Sequence, residues 1–242
     1  MSTVAKKIET GLDVDPMFPM PVGRAHIGRE ITEEEISFLR GADRHSTKTP
    51  EGRVWHNNWG PPDANLVAHP EMKDIFDFCG TAILSYFKFV WPSAMPRASL
   101  SFTQTWFNIR KRGGQHEAHD HSNSFISAVF NVWGEDPIIF EPPKTSGLFG
   151  SIRFGYETSG FAPDFVPIVI PAGGILIFPS HLVHSVPRIE DPAGRCTISM
   201  NTFPVGSMGD GDNLNSLMIG GVGIGENEEL PEGAMKVNLA TR

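Results

Sequence analysis

The stretch IPAGGILIFPSHLVHSVPRIEDPAGRCTISMN, residues 170–201, sets the fold class. A short apolar run, Ile175 to Phe178, leads into two histidines, His181 and His184. A turn rich in Asp, Pro and Gly follows at 190–194, and a second strand opens with Arg195. Runs of four to eight apolar and β-branched residues bounded by Gly and Pro read as strands that pack on both faces. The same texture begins near residue 96, in ASLSFTQTWFNIRK, SFISAVFNVW, DPIIFEPP, VPIVIPAGGILIFP and RCTISMNTFPV. Several short strands in series predict a barrel or jelly roll.

Upstream of residue 96 the pattern changes. Apolar residues at 72, 75, 76, 79, 83, 84 and 87 have helical spacing, which predicts a helix over about 70–90 ending before Trp91-Pro92. Thr32, three residues before Glu35, has the spacing of a capping box, and Gly41 fits a stop, so a second helix is expected over 32–40. Residues 1–29 and 42–62 read as irregular, with DPMFPMPVG (15–23) expected to lie extended on the domain. The segment 144–166 reads as a long insertion, either a lid or a plain surface loop. The glycine-rich GGVGIG (220–225) has no Lys-Ser pair after it and is not a phosphate loop.

Composition narrows the function. The chain has 242 residues, 40% hydrophobic and 20% charged, with a formal net charge of −8. An acidic chain whose densest basic run is Arg110, Lys111 and Arg112 is not built as a nucleic-acid binder, and that run is expected to face solvent. Cys79 and Cys196 form no metal-type or disulfide framework and read as buried thiols. No stretch is apolar and long enough to span a bilayer, and the N-terminus has no apolar leader. A soluble protein of a reducing compartment, the cytoplasm, is expected.

A second informative stretch is GGQHEAHDHSN, residues 113–123. If 119–121 is extended, His119 and His121 share a face, with Cα atoms about 6.6 Å apart at twice the strand rise. Two imidazoles span that gap to a common ion with bonds of about 2.0–2.1 Å. His116 lies three residues before His119, so on a straight strand it points to the opposite face and only a bend brings it to the same ion. His184 can supply a third ligand from a neighbouring strand. Arg195, eleven residues later, either returns to the same pocket, where a guanidinium binds a carboxylate through two hydrogen bonds, or pairs on the surface with Glu190 or Asp191.

The combination of H-x-H, the strand PAGGILIFPS, His184, and Arg195 with TISMN resembles the iron(II)/2-oxoglutarate-dependent oxygenase superfamily. The resemblance covers roughly residues 97–204 and is nearest to oxygenases common in phage and marine bacterial genomes. It implies a mainly β fold, a double-stranded β-helix (jelly roll) with helices packed on one sheet. It implies a single domain over 1–242, with a core at about 97–204, helical support at about 30–91 and a tail at 205–242. It further implies iron(II) and 2-oxoglutarate as cofactors. His119 and His184 are the implied metal ligands, Arg195 the group for the far carboxylate, and Asn108 and Thr197 added hydrogen-bonding partners of that cosubstrate. The sequence departs from the superfamily at one position: the usual His-x-Asp or His-x-Glu reads His119-x-His121 here, so His121 takes the carboxylate's place unless a bent strand brings in Asp120.

Three imidazoles would leave iron(II) with two positive charges, which the dianion 2-oxoglutarate neutralises. Imidazole also suits zinc, copper and nickel. The products implied are succinate, carbon dioxide and an oxidised substrate, a small molecule or a peptide, with no catalytic residue beyond the metal centre. Trp106, Phe125, Phe140 and Phe178 are candidates for the dry wall of the pocket or for simple core packing. The rival readings are a cupin-like metal enzyme without 2-oxoglutarate, a hydrolytic zinc enzyme and a non-catalytic jelly-roll metal-binding module. The cupin reading lacks a glutamate between Ser122 and Ser127 and leaves Arg195 without a role. Neither nucleic acid nor membrane is expected as a partner, and homo-oligomerisation stays open.

Overall fold

A computed structural model describes residues 19–42, 46–48, 54–57, 66–94, 97–142, 165–209, 212 and 215–224. Two helices form in the N-terminal part, α1 (Glu33–Ala42) and α2 (Lys73–Val90). The capping box is present at α1: the Thr32 N–H donates to Glu35 Oε2 at 2.8 Å, and the Glu35 N–H donates to Thr32 Oγ1 at 3.2 Å. These bonds satisfy two of the orphan donors of the first turn. A 3₁₀ turn, Pro70–Met72, leads into α2, and α2 ends before Trp91. The helical spacing read at 72–87 thus places the helix correctly. Its buried face is Ile75, Phe76, Cys79, Ile83, Tyr86 and Phe87.

Among the described residues the chain forms twelve strands. They are β1 (Gly23–His26), β2 (Ser46–Lys48), β3 (Val54–Asn57), β4 (Ala98–Arg110), β5 (His116–His119), β6 (Ile126–Trp133), β7 (Ile138–Phe140), β8 (Val166–Ile168), β9 (Gly174–Pro179), β10 (His184–Val186), β11 (Arg195–Met208) and β12 (Leu217–Ile219). The larger sheet has the order β1-β9-β6-β11-β4-β3-β2, with β12 beside β11. The smaller sheet has the order β5-β10-β7-β8. Each described pairing is antiparallel. The chain passes from β5 to β6 and from β9 to β10 by changing sheets, which is the winding of a double-stranded β-helix. The fold is mainly β, as the run of short strands implies.

Three segments read as irregular or glycine-rich contain strands. β1 lies in the proline-broken N-terminal stretch and adds to β9, while β2 and β3 lie in 42–62 and extend the β4 edge. β12 lies in the tail and pairs Gly206–Met208 of β11 beyond the end of β6. All four are three or four residues long and carry no periodicity of their own. They exist because a longer neighbour offers a row of unpaired backbone groups. Most of the insertion 144–166 lies outside the described residues.

Alternation along the long strands separates two cores. Phe107 of β4, Ala128, Phe130 and Val132 of β6, Ile175 and Ile177 of β9, and Cys196, Ile198 and Met200 of β11 pack with the buried faces of α1 and α2. Val129, Leu176 and Phe178 point the other way and meet Ile138, Phe140, Ile168 and Leu182 between the sheets. Full burial of each such side chain is worth about 1.5–3 kcal/mol. Both cysteines are free and buried, as their apolar surroundings imply.

Candidate metal centre

β10 and β5 place His184 directly opposite His119 as Cα partners. Cross-strand partners have Cβ atoms roughly 4.5–5.5 Å apart, so the two rings meet without further design. Their centroids are 4.4 Å apart. β5 ends at His119, but the His121 N–H donates to the Ser180 carbonyl at 3.0 Å, which carries the backbone on beside the loop after β9. His121 therefore lands on the same side as His119, with ring centroids 5.3 Å apart, and 5.0 Å from His184. Each of His119, His121 and His184 offers a nitrogen, and these atoms all lie within 4.8 Å of one another. A cation with bonds of about 2.1 Å joins nitrogens up to about 4.2 Å apart, so small ring rotations close the site.

The three rings are held in one tautomer. The Nδ1–H of His119 donates to the Glu117 carbonyl at 2.8 Å, and that of His184 to the Leu182 carbonyl at 2.9 Å. The Nδ1–H of His121 donates to Asn201 Oδ1 at 2.7 Å, with Ser127 Oγ 2.8 Å away. With Nδ1 committed as donor, each Nε2 keeps its lone pair. Ser127 also donates to Asn201 Oδ1 at 2.8 Å and meets Ser180 Oγ at 2.8 Å, so a buried polar chain backs His121. Burial pushes His184 down to about 3 and lowers His121 as well, which keeps both rings neutral and able to ligate. The donor set and its protonation fit a first-row divalent metal.

His116 does not behave as a straight strand requires. His184 faces His119 and Val186 faces His116, so the single residue between them on β10, Ser185, is matched by two on β5, Glu117 and Ala118. The extra residue is a β-bulge, and it turns His116 to the same side as His119, with ring centroids 4.0 Å apart. Its Nδ1 accepts from Arg110 Nη2 at 2.8 Å, and it is not one of the three converging ligands. Burial, then the Arg110 charge, pushes His116 down to about 2. Asp120 is exposed and likewise outside the converging set.

The floor of the pocket is the inward face of β4 and β11. Arg195 pairs with Arg110, Thr197 with Asn108, and Ser199 with Trp106. All six line one cleft with His116 and the three converging histidines. Arg195 is 4% exposed, and Glu190 lies instead near Arg112 at 3.9 Å, so the surface ion pair considered for Arg195 does not form. Asn108 Nδ2 donates to Ser199 Oγ at 3.3 Å. The expectation that the run Arg110–Arg112 faces solvent fails at its first residue. Arg110 is 7% exposed and shares the inward face of Asn108 and Trp106, while Lys111 and Arg112 are exposed. Burial first, then the Arg195 charge, lowers Arg110 to about 9, and burial lowers Arg195 to about 10.

Residues 104–201 match the family model described as "Putative 2OG-Fe(II) oxygenase". Over this span the chain is similar to the 2OG-Fe(II) oxygenase family. The matched span holds all six site residues named from the sequence, and the family's cofactors are iron(II) and 2-oxoglutarate. No curated protein sequence matches the chain significantly. Among solved structures the chain is similar to a 2OG-Fe(II) oxygenase family protein from Burkholderia pseudomallei (12% identity, 74% of this chain and 84% of that one, TM-score 0.45). It is also similar to the epimerase SnoN of nogalamycin biosynthesis (13%, 76% and 80%, TM-score 0.49). A third is HygX from Streptomyces hygroscopicus with nickel, 2-oxoglutarate and hygromycin B bound (15%, 76% and 82%, TM-score 0.48). Likenesses this remote assign no substrate.

Within this oxygenase frame the aromatic candidates divide. Trp106 lines the cleft, 5.9 Å from the His121 ring, and Phe178 and Phe140 pack on His184 at 4.9 and 5.7 Å. Phe125 instead packs edge-on to Phe87 and tilted against Trp91, beside α2. His181 is exposed. Arg110, Asn201 and Ser127 are site residues that the sequence did not reveal, and His116 enters through the bend on which its candidacy depended. Asn201 had a usable signal, since it continues the alternating set Arg195, Thr197, Ser199. The bulge that brings in His116 leaves no mark in the residue pattern.

Proposed function

We propose that His119, His121 and His184 hold iron(II) through their Nε2 atoms, and that Arg195 takes the far carboxylate of 2-oxoglutarate with Asn108 and Thr197 beside it. The observation that carries this reading is the convergence of three imidazoles, each fixed as an Nδ1 donor, over a cleft floored by a buried guanidinium. When bound, the metal, 2-oxoglutarate and oxygen supply the oxidation, with succinate and carbon dioxide as co-products. The chain's own residues do the rest. Glu117, Leu182 and Asn201 fix the ring orientations through the Nδ1 bonds, and this second layer sets ligand basicity. Phe140 and Phe178 exclude water behind His184. Three neutral imidazoles leave the metal's double positive charge to be balanced by the cosubstrate dianion. The substrate is a small molecule or a peptide, and residues 1–242 form a single oxygenase domain.

The test is anaerobic titration of the full chain with iron(II) and 2-oxoglutarate, following the visible charge-transfer band of the chelate. His184→Ala is expected to abolish metal binding, and Arg195→Ala to weaken 2-oxoglutarate without loss of metal. Arg195→Ala binding 2-oxoglutarate as tightly as the wild type refutes the assignment of that arginine. Succinate formation excludes a cupin-type reaction, and oxygen-dependent turnover excludes zinc hydrolysis.

A further inference from the structure

Arg110 and Arg195 are direct cross-strand partners on the inward face of β4 and β11, and both line the cleft that holds the three converging histidines. Like charges directly opposite on adjacent strands repel, and burial removes the water that would screen them. These two guanidiniums are 7% and 4% exposed. The fold nonetheless forces them together. Gly194 has φ +72°, and a Cβ there would lie 2.3 Å from the Arg110 carbonyl oxygen. Gly134 has φ +82°, and a Cβ there would lie 2.9 Å from the Arg195 Cα. Two positions that only glycine fills without strain therefore close the backbone around this pair. Arg110 is also oriented, because its Nη2 donates to His116 Nδ1. On the Arg195 side, the buried Nε has no hydrogen-bond partner. Asp136 is the carboxylate whose charge reaches Arg195.

Two buried cations held side by side over one cleft are stabilised by an anion between them. We infer that Arg110 is a second guanidinium for the far carboxylate of the 2-oxo acid, so that the site selects a dicarboxylate through two arginines rather than one. This rests on the reading of the cleft as a 2-oxoglutarate site. The pairing of Arg110 with Arg195 favours a shared carboxylate over an anionic group on the substrate.

The experiment compares 2-oxoglutarate with 2-oxobutyrate, which keeps the chelating 2-oxo acid and lacks the second carboxylate. Both are titrated anaerobically into the iron(II)-loaded full chain, and the chelate band is read. The wild type is expected to favour 2-oxoglutarate strongly. Arg110→Gln is expected to weaken 2-oxoglutarate by roughly 10-fold to 100-fold, the worth of a charged hydrogen-bonded contact, and 2-oxobutyrate by less than about 2-fold. A merely structural role for Arg110 would weaken both acids alike, which overturns the proposal. Unchanged selectivity also overturns it, and this is the outcome if Arg110 serves an anionic substrate instead. Should Arg110→Gln fail to fold by circular dichroism, Arg110→Lys is read in the same assay, since it keeps the charge and loses the two-pronged geometry. Loss of 2-oxoglutarate alone supports the proposal, and unaltered selectivity refutes it. A wild type that binds neither acid sinks the underlying 2-oxoglutarate reading, whereas a selective wild type with a selective Arg110→Gln sinks only the second arginine.

Discussion

Asn201→Ala tests whether the polar chain behind His121 sets the metal site. Asn201 is 6% exposed, and its Oδ1 accepts from His121 Nδ1 at 2.7 Å and from Ser127 Oγ at 2.8 Å. The alanine variant removes both acceptor contacts, while Ser127 Oγ stays near His121 Nδ1 as a weaker substitute. Leaving a buried donor poorly paired costs about 1–3 kcal/mol, so the metal-free protein should lose stability in that range by urea denaturation. Loss of such an outer partner typically weakens metal binding by roughly 10-fold to 100-fold, which is about 1.4–2.8 kcal/mol. Asn201→Asp keeps an acceptor at the same place and raises the basicity of His121, so iron(II) affinity should match or exceed that of the wild type. The assay is anaerobic iron(II) titration of folded variants. A folded Asn201→Ala that binds iron(II) within about 2-fold of the wild type refutes the reasoning, because the tautomer of His121 would then not depend on Asn201.

Two further outcomes follow from the geometry. In the metal-free protein His184 is pushed down to about 3 from its ordinary 6.5, and His116 to about 2. The unfolded chain therefore binds protons that the folded chain refuses, so stability is full above about pH 6.5 and falls as pH drops toward 3, by about 1.4 kcal/mol per pH unit for each such ring. His184→Gln should flatten the stability curve between pH 6 and pH 4, and a slope equal to that of the wild type contradicts the burial account. Gly194→Ala must place a Cβ 2.3 Å from the Arg110 carbonyl at a φ of +72°. It should cost about 2 kcal/mol or more in thermal or urea unfolding, and a variant as stable as the wild type would show that the β4–β11 corner yields freely.

The strand texture after residue 96, the helix over 70–90 and the Thr32–Glu35 cap are local signals, and each appears where the sequence places it. The His119 and His121 pair was legible because strand alternation is a local rule, and His184 and Arg195 were legible through their order along the chain. Alternation could not say which side of a strand faces water. Arg195, Thr197, Ser199 and Asn201 alternate with Cys196, Ile198 and Met200, a pattern that ordinarily sends the polar set to solvent. Here the helices cover the apolar face, so the polar set turns inward, with Arg195, Thr197 and Ser199 as the pocket floor and Asn201 behind His121. Arg110 follows the same rule on β4, although its neighbours Lys111 and Arg112 made it look like part of a surface run. His116 depended on a bulge fixed by pairing with β10, more than sixty residues away. Local periodicity thus determined the elements and the histidine pair, while only sheet-on-sheet packing decided which polar residues are enclosed together, because burial is a property of both layers at once.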